Sequence, residues 1–301
     1  MSSKTIIGHR PEKSAYRLNR RGKVKCVQMG FPEPSFHHLL AKLQRELPDA
    51  QGLWTLRGFI DVARRIYALS SDTKVISKAL ELMTLPDIVR LARDECYQVV
   101  FAPEQNFYPD LSLVRGEEKI ALDLKSTYRM PDRPGQVSGF TLGAFTGYFR
   151  DRRSTKNIVF PYGEYTAHYI IGIVYTKVAV PDLPGVYPLE QLETVPTPVR
   201  DIEFILQPKW KIASDQPGSG NTKNIGSVKD LSALREGRGP FALLGEEGKS
   251  LFDQYWQEYL TPDMARKVDL PRPLFRNLRE YLERINRPDL VKRLDENRPI
   301  S

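Results

Sequence analysis

Residues 108–128 read YPDLSLVRGEEKIALDLKSTY, and the fold turns on this stretch. Leu111–Arg115 is a short run rich in apolar residues. Gly116-Glu117 marks a turn, and residues 119–127 alternate apolar and polar. This pattern predicts a strand, a tight connection and a second strand. Residues two apart on a strand share a face. Ile120, Leu122 and Leu124 therefore point into a core, while Ala121, Asp123 and Lys125 point the other way. Asp110 follows Pro109 at the mouth of the first strand, so pairing of the two strands brings it towards Asp123.

Two carboxylates and a lysine make a site with a definite chemistry. Mg²⁺ commonly takes one or two protein carboxylates and leaves its other positions to water and phosphate. It can lower the pKa of a water and neutralise charge building on a phosphate. The lysine can hold the attacking water or stabilise the charged phosphate. As a bare string, Asp-x-Lys is common. Taken alone, these residues fit equally well a solvated strand face with an ordinary Asp–Lys pair.

A second stretch, GSGNTKNIGS at residues 218–227, changes that balance. Together with the first it resembles the EcoRV family of type II restriction endonucleases. The similarity runs from about Ser71 to about Gly239 in seven ordered blocks: SDTKV (71–75), QNFYPD (105–110), IALDLKSTY (120–128), FTLGAFT (140–146), TKNIVFP (155–161), AHYIIGIVYTKVA (167–179) and GSGNTKNIGS. The resemblance implies an α/β fold, a mixed central β-sheet flanked by helices with a PD-(D/E)xK core. It implies a Mg²⁺-dependent hydrolase of double-stranded DNA. Asp110 and Asp123 would bind metal, Lys125 would assist the water and the phosphate, and Glu81 would be an accessory acid near the metals. Gly218, Ser219, Gly220, Asn221 and Thr222 match the family's base-reading loop unchanged, and Asn224 matches beyond it, whereas Lys223 departs. Gln105 and Asn106 would lie near the minor groove. Thr73, Lys74, Thr127 and Lys156 fall at positions facing DNA. A retained loop implies GATATC as the site, cut to blunt ends. A palindrome implies a homodimer, one half per half-site, with a DNA methyltransferase acting on the same sequence. Gly147 stands where the family has a hydroxyl residue, and an extra residue precedes Thr155, so one phosphate contact is altered there.

The loop has its own physical reading. Glycines let backbone approach base edges. Asn can bond bidentately to adenine, and Thr can touch the thymine methyl. A plain flexible surface loop competes with it. A nucleotide-binding loop is rejected, since GxxxxGK[ST] is absent. Lys74 and Glu81, seven apart on one helical face, also fit a solvated charge pair, and Gln105-Asn106 also fits a polar turn. His168 reads as a core or strand-end histidine, because no nucleophile or metal partner accompanies it.

Composition bounds the rest. The chain has 301 residues, 41% hydrophobic, enough for a sizeable core. It has no run of about 18 apolar residues, so no membrane span is expected. Cys26 and Cys96, far apart, fit a reducing bacterial cytoplasm, and no spacing suggests zinc. The net charge of +8 is concentrated: residues 1–25 hold eight Lys/Arg and one acid, leaving 37 basic and 36 acidic residues elsewhere. We read residues 1–35 as a basic arm. Residues 36–301 form the endonuclease domain, with a catalytic core at about 71–180, a recognition region at about 200–240 and C-terminal helices at 245–301.

Periodicity predicts helices over 36–47, 56–69, from 73 and over 86–97, and a weak one over 141–150. Strands are expected at 98–102, 158–160, 169–179, 202–207 and 210–213. Leu274, Leu278, Tyr281, Leu282 and Ile285 read as one amphipathic helix. Phe252, Tyr255, Trp256 and Tyr259 make an aromatic stripe suited to packing. Arg150, Arg152, Arg153 and Lys156 form a basic cluster suited to phosphates. A DNA-binding module that does not cut, and a structure-specific nuclease, remain competing functions. Intact Asp110, Asp123 and Lys125 oppose the first, and the GSGNT loop opposes the second.

A basic arm suits a polyanion as well as it suits simple solubility. If it captures DNA, deletion of residues 1–25 will weaken binding to random DNA and flatten its salt dependence, because fewer counterions are released. Unchanged affinity and slope in a salt titration would refute the capture role.

Overall fold

The computed structural model describes residues 17–18, 24–25, 36–46, 54–181, 185–218 and 222–297. Of the basic arm it includes β1 (Arg17–Leu18) and β2 (Val24–Lys25), an antiparallel pair; the remainder of the arm lies outside the described residues.

Helix α1 (Phe36–Glu46) forms as its spacing predicts. The helix expected over 56–69 is instead a hairpin of β3 (Gly58–Ile60) and β4 (Arg65–Ala68). Asp61 explains the difference. Its Oδ1 accepts hydrogen bonds from the Ala63 and Arg65 N–H groups, both at 2.9 Å, and closes the turn. β4 then alternates exposed and buried, so a period of two wins over 3.6.

Helix α2 (Thr73–Asp94) replaces the two helices expected on either side of Pro86. Asp72 caps it, accepting from the N–H groups of Lys74 at 2.8 Å and Val75 at 3.2 Å. Proline removes the donor to the carbonyl four residues back. Here that carbonyl belongs to Leu82. Leu82 and Pro86 are both exposed, so water can reach the orphaned group. Ile88, Leu91 and Ala92 beyond it are fully buried and keep the helix on the sheet.

The chain continues through β5 (Gln98–Phe101), β6 (Leu111–Arg115), β7 (Glu118–Tyr128), β8 (Thr141–Ala144), β9 (Ala167–Lys177), β10 (Val186–Pro188), β11 (Val199–Pro208), α3 (Lys209–Ile212), β12 (Ala213–Pro217) and β13 (Asn224–Ser227). Helices α4 (Leu231–Glu236), α5 (Gly248–Glu258), α6 (Pro262–Arg266), α7 (Leu278–Arg284) and α8 (Pro288–Glu296) follow. The central sheet has the order β11-β9-β7-β6-β5. β7 and β9 run parallel and the other neighbours antiparallel, so the sheet is mixed, as expected. Two smaller sheets have the orders β12-β13-β8 and β10-β4-β3.

The central sheet separates two cores. Ile120, Leu122 and Leu124 pack with Leu111 and Leu113 against α1 and α2 residues such as Leu43, Ile88 and Leu91. Ala121 and Ile170 face a larger core rich in aromatic residues, including Tyr108, Phe145, Tyr255 and Trp256. The aromatic stripe of α5 thus serves packing.

Several local expectations change because partners lie far along the chain. Residues 141–144, read as weakly helical, are strand β8: Asn224 of β13 pairs with Ala144, and the Phe145 N–H donates to the Lys223 carbonyl at 3.0 Å. Ile158 makes only a single bridge to Tyr108, so 158–160 is not a strand. Residues 210–213 turn through α3 before β12 begins, and Leu274 lies outside α7 and is exposed.

Candidate active site and nucleic-acid interface

The β6–β7 hairpin sets the site. Leu111 pairs with Leu122, so Asp110, one residue before the strand, meets Asp123 on the neighbouring strand. The Asp110 N–H donates to Asp123 Oδ1 at 3.4 Å, and the Leu124 N–H donates to Asp110 Oδ2 at 2.7 Å. Lys125 Nζ lies 2.7 Å from Asp123 Oδ2 and 3.4 Å from Asp110 Oδ2, and donates to the Leu124 carbonyl at 3.2 Å. One cation is thus held by three oxygens. The same oxygens suit a hard divalent ion, which takes carboxylates and carbonyls and fills its remaining positions with water and phosphate.

Asp123 is buried, at 3% exposure. Burial works against its charge, but the Lys125 ammonium and hydrogen bonds from Asp110 and Lys125 outweigh it, so its pKa falls below the usual carboxylate value. Asp110 goes the other way. Burial and the neighbouring Asp123 charge push it up to about 7, against the pull of Lys125. Burial would neutralise Lys125, yet the two carboxylates keep it charged, with a raised pKa. The three groups therefore divide their charges: Asp123 ionised, Lys125 protonated, and Asp110 poised near neutrality.

These residues open onto a cleft of about 570 Å³. Gln105, Asn106, Lys156 and Asn224 line it with Asp110, Asp123 and Lys125, bringing together seven of the residues singled out from sequence. Thr141, Gly143, Thr146, Ser154 and Asn157 line it too, and sequence reasoning passed over them as site residues. Glu81 is not among the lining residues; it pairs with Lys78 at 2.7 Å. Thr73 and Lys74, at the start of α2, are exposed and also outside the lining. Thr127 shares the strand face of Asp123 and Lys125 but is enclosed at 3% exposure, with its hydroxyl unpartnered among the described residues.

The basic cluster is reassigned in part. Arg150 donates to the Tyr259 carbonyl, and Arg152 pairs with Asp253 at 3.0 Å. Both guanidiniums tie the 147–153 segment to the C-terminal helices. Of the four, Lys156 alone lines the cleft. His168 is a packing residue, as expected. Its Nδ1 hydrogen-bonds the Tyr108 hydroxyl at 2.9 Å, Tyr162 stacks on its ring at 4.2 Å, and burial holds its pKa well below the usual value.

Ser219, Gly220 and Asn221 lie outside the described residues, but the base of their loop is seen. The Gly218 N–H donates to the Asn224 carbonyl at 2.9 Å. A Cβ on Gly226 would come within 2.8 Å of the Gly218 Cα, so the two strands of the loop approach as only glycine allows. β13 then carries Asn224 to the rim of the cleft.

The Asp110 pKa has a directional consequence. A carboxyl raised from 3.8 to about 7 favours the metal-free fold most below pH 4, and that contribution is lost as pH rises through 7. A divalent metal taken up by these carboxylates would displace the same proton. Metal affinity measured by isothermal titration should therefore fall as pH drops from 8 to 6, with proton release on binding. Asp110→Asn should remove both the proton release and the tight binding; an unaltered pH dependence in that variant would place the titrating group elsewhere.

The chain is similar to known proteins over most of its length. The family model described as "Restriction endonuclease EcoRV" matches residues 50–286. The "Type II restriction enzyme EcoRV" of Escherichia coli is 37% identical over 248 residues, which cover 81% of this chain and 96% of that relative. Similarity over so much of both chains includes the β6–β7 hairpin and the β12–β13 loop, and it shows that the protein belongs to the EcoRV family of type II restriction endonucleases, the site-specific deoxyribonucleases.

Proposed function

We propose that the protein hydrolyses double-stranded DNA with Mg²⁺ at the palindrome GATATC, leaving blunt ends, and that it acts as a homodimer. The observation that carries this reading is the single cleft shared by Asp110, Asp123 and Lys125 with the polar residues Gln105, Asn106, Lys156 and Asn224. Asp110 and Asp123 would hold the metal, with the Leu124 carbonyl beside them. When bound, the metal supplies Lewis acidity: it lowers the pKa of a water and offsets charge on the phosphate. Lys125 leaves Asp110 but keeps Asp123, and its ammonium orients the water and the phosphate oxygen. Lys156 contacts a flanking phosphate, while Gln105 and Asn106 approach the minor groove. Glu81 enters as an accessory carboxylate once Lys78 releases it. Thr73 and Lys74, exposed at the start of α2, would contact the DNA backbone.

The recognition sequence rests on the match of residues 218–222 to the family loop. Asn221 would pair with adenine and Thr222 would meet a thymine methyl. Residues 1–35 would form an arm beside an endonuclease domain of residues 36–301. The protein would work in a bacterial cytoplasm, where a methyltransferase modifying the same sequence protects resident DNA. Among the described residues, no helix is long and apolar enough to cross a membrane.

Two-fold symmetry needs a self-complementary surface. The small sheet offers one. Val186 pairs with Tyr67, and Tyr67 with Phe59, so three side chains form a row across β10, β4 and β3. All three are exposed. A contiguous apolar surface of this kind marks an interface.

A plasmid with one GATATC site tests the activity. With Mg²⁺ we expect one blunt linear product, absent in EDTA and absent for Asp123→Ala. Discrete cuts elsewhere would keep the nuclease and reject the sequence. Specific retention of the plasmid without cutting would favour a binding protein that does not cleave. For the dimer, Phe59→Asp with Val186→Asp should convert a two-chain species to a monomer in sedimentation and abolish concerted double-strand cutting. A variant that remains dimeric would move the interface elsewhere.

A further inference from the structure

Lys209 begins α3, the short link between the catalytic sheet and the sheet that carries the base-reading loop. It is 1% exposed, and its Nζ has no hydrogen-bond partner among the described residues. A buried ammonium without a partner is costly to the fold. Such a group calls for an explanation beyond packing.

The surroundings of this ammonium narrow the explanation. It lies over the face of Tyr108, 4.7 Å from the ring centroid, with Phe149 and Tyr162 at 5.7 Å and 5.9 Å. Aromatic faces stabilise a cation without cancelling its charge. A Cβ built on Gly143 would stand 3.5 Å from this Nζ, and Gly143 and Tyr108 both line the cleft. The nearby carboxylates are otherwise engaged. Asp110 and Asp123 hold Lys125, and Asp253 holds Arg152. Lys209 is therefore a buried positive charge with no hydrogen-bonded counter-ion among the described residues, directly behind the cleft wall at a point where the wall has no side chain; Asp123 and Asp253 offset it only through space. Its surroundings are apolar, so its field is weakly screened. It acts on whatever occupies the cleft.

We propose that Lys209 is a positioning residue for the DNA phosphodiester, drawing it through space against Asp110, Asp123 and Lys125 without touching it. Burial lowers the pKa of this lysine to about 8, so it keeps its charge below that pH, and an arriving phosphate would hold it in the charged form. The inference rests on Asp110 and Asp123 being the metal-binding pair.

Lys209→Met keeps the length of the side chain and removes its charge. A purely structural lysine here predicts unchanged function. We expect instead a melting temperature equal to or above that of the natural protein, since an unpaired buried charge is gone. Binding to a labelled duplex bearing the sequence the natural protein cuts, measured in EDTA, should weaken about tenfold. The single-turnover cleavage rate should fall by a similar factor or more, about what one poorly screened charge can supply. Binding and cleavage equal to the natural protein would overturn the proposal. If Lys209→Met and Lys209→Gln both fail to fold, the charge serves the fold and the proposal is equally overturned. Asp123→Asn in parallel separates the two readings. If it still cuts, the metal site itself is misassigned; if it is inactive while Lys209→Met cuts normally, only the role of Lys209 fails.

Discussion

Two carboxylates held beside one another in a partly buried cleft are the constraint the rest of the structure answers to. Left alone, like charges at this separation drive one group to take up a proton. The β6–β7 register forces the approach of Asp110 and Asp123, and Lys125 makes it tolerable by bridging both. The result is a site in which both carboxylates share the Lys125 ammonium and Asp110 keeps its proton up to about pH 7. Five strands, two of them parallel, keep these side chains in place from both faces, because Ile120, Leu122 and Leu124 are locked into the opposite core. Rigid support of this kind is what a catalytic constellation requires.

The second feature is how closely the central sheet and the β12-β13-β8 sheet are joined. β12, β13 and β8 form their own sheet, yet β8 and β13 send Gly143 and Asn224 to the wall of the same cleft. α3 leads straight from the edge strand β11 into β12. Between the two sheets lies a cluster of stacked rings: Tyr108 with Tyr148 at 5.4 Å, and Tyr162 with His168 at 4.2 Å. Tyr108 belongs to the same short segment as Asp110. A displacement of β8 or β13 would reach the segment of Asp110 through packed rings, which do not deform smoothly.

Local signals succeeded where they agreed with the tertiary fold and failed where a distant partner overruled them. The hairpin of residues 111–128 was legible because alternation and turn residues pointed the same way. α1 and the aromatic stripe of α5 were legible from helical spacing. The stretch 56–69 misled because its apolar residues also fit a helix, and the Asp61 turn decided otherwise. Pro86 misled because its missing donor falls on the solvent side of α2. Arg150 and Arg152 read as phosphate ligands, since nothing in a basic string shows that Tyr259 and Asp253 will claim them. Glu81 likewise answers to Lys78, its neighbour on the same helix.

The sequence by itself determined the β6–β7 hairpin, the side of β7 that bears Asp123 and Lys125, and the glycines at the base of the β12–β13 loop, because period-two patterning and turn chemistry are local properties of the chain. The tertiary structure alone decided which polar residues share a cleft, how charge is divided between Asp110 and Asp123, and that Lys209 is sealed behind Gly143. Burial and electrostatic coupling depend on separations in space, and strands distant in sequence set those separations.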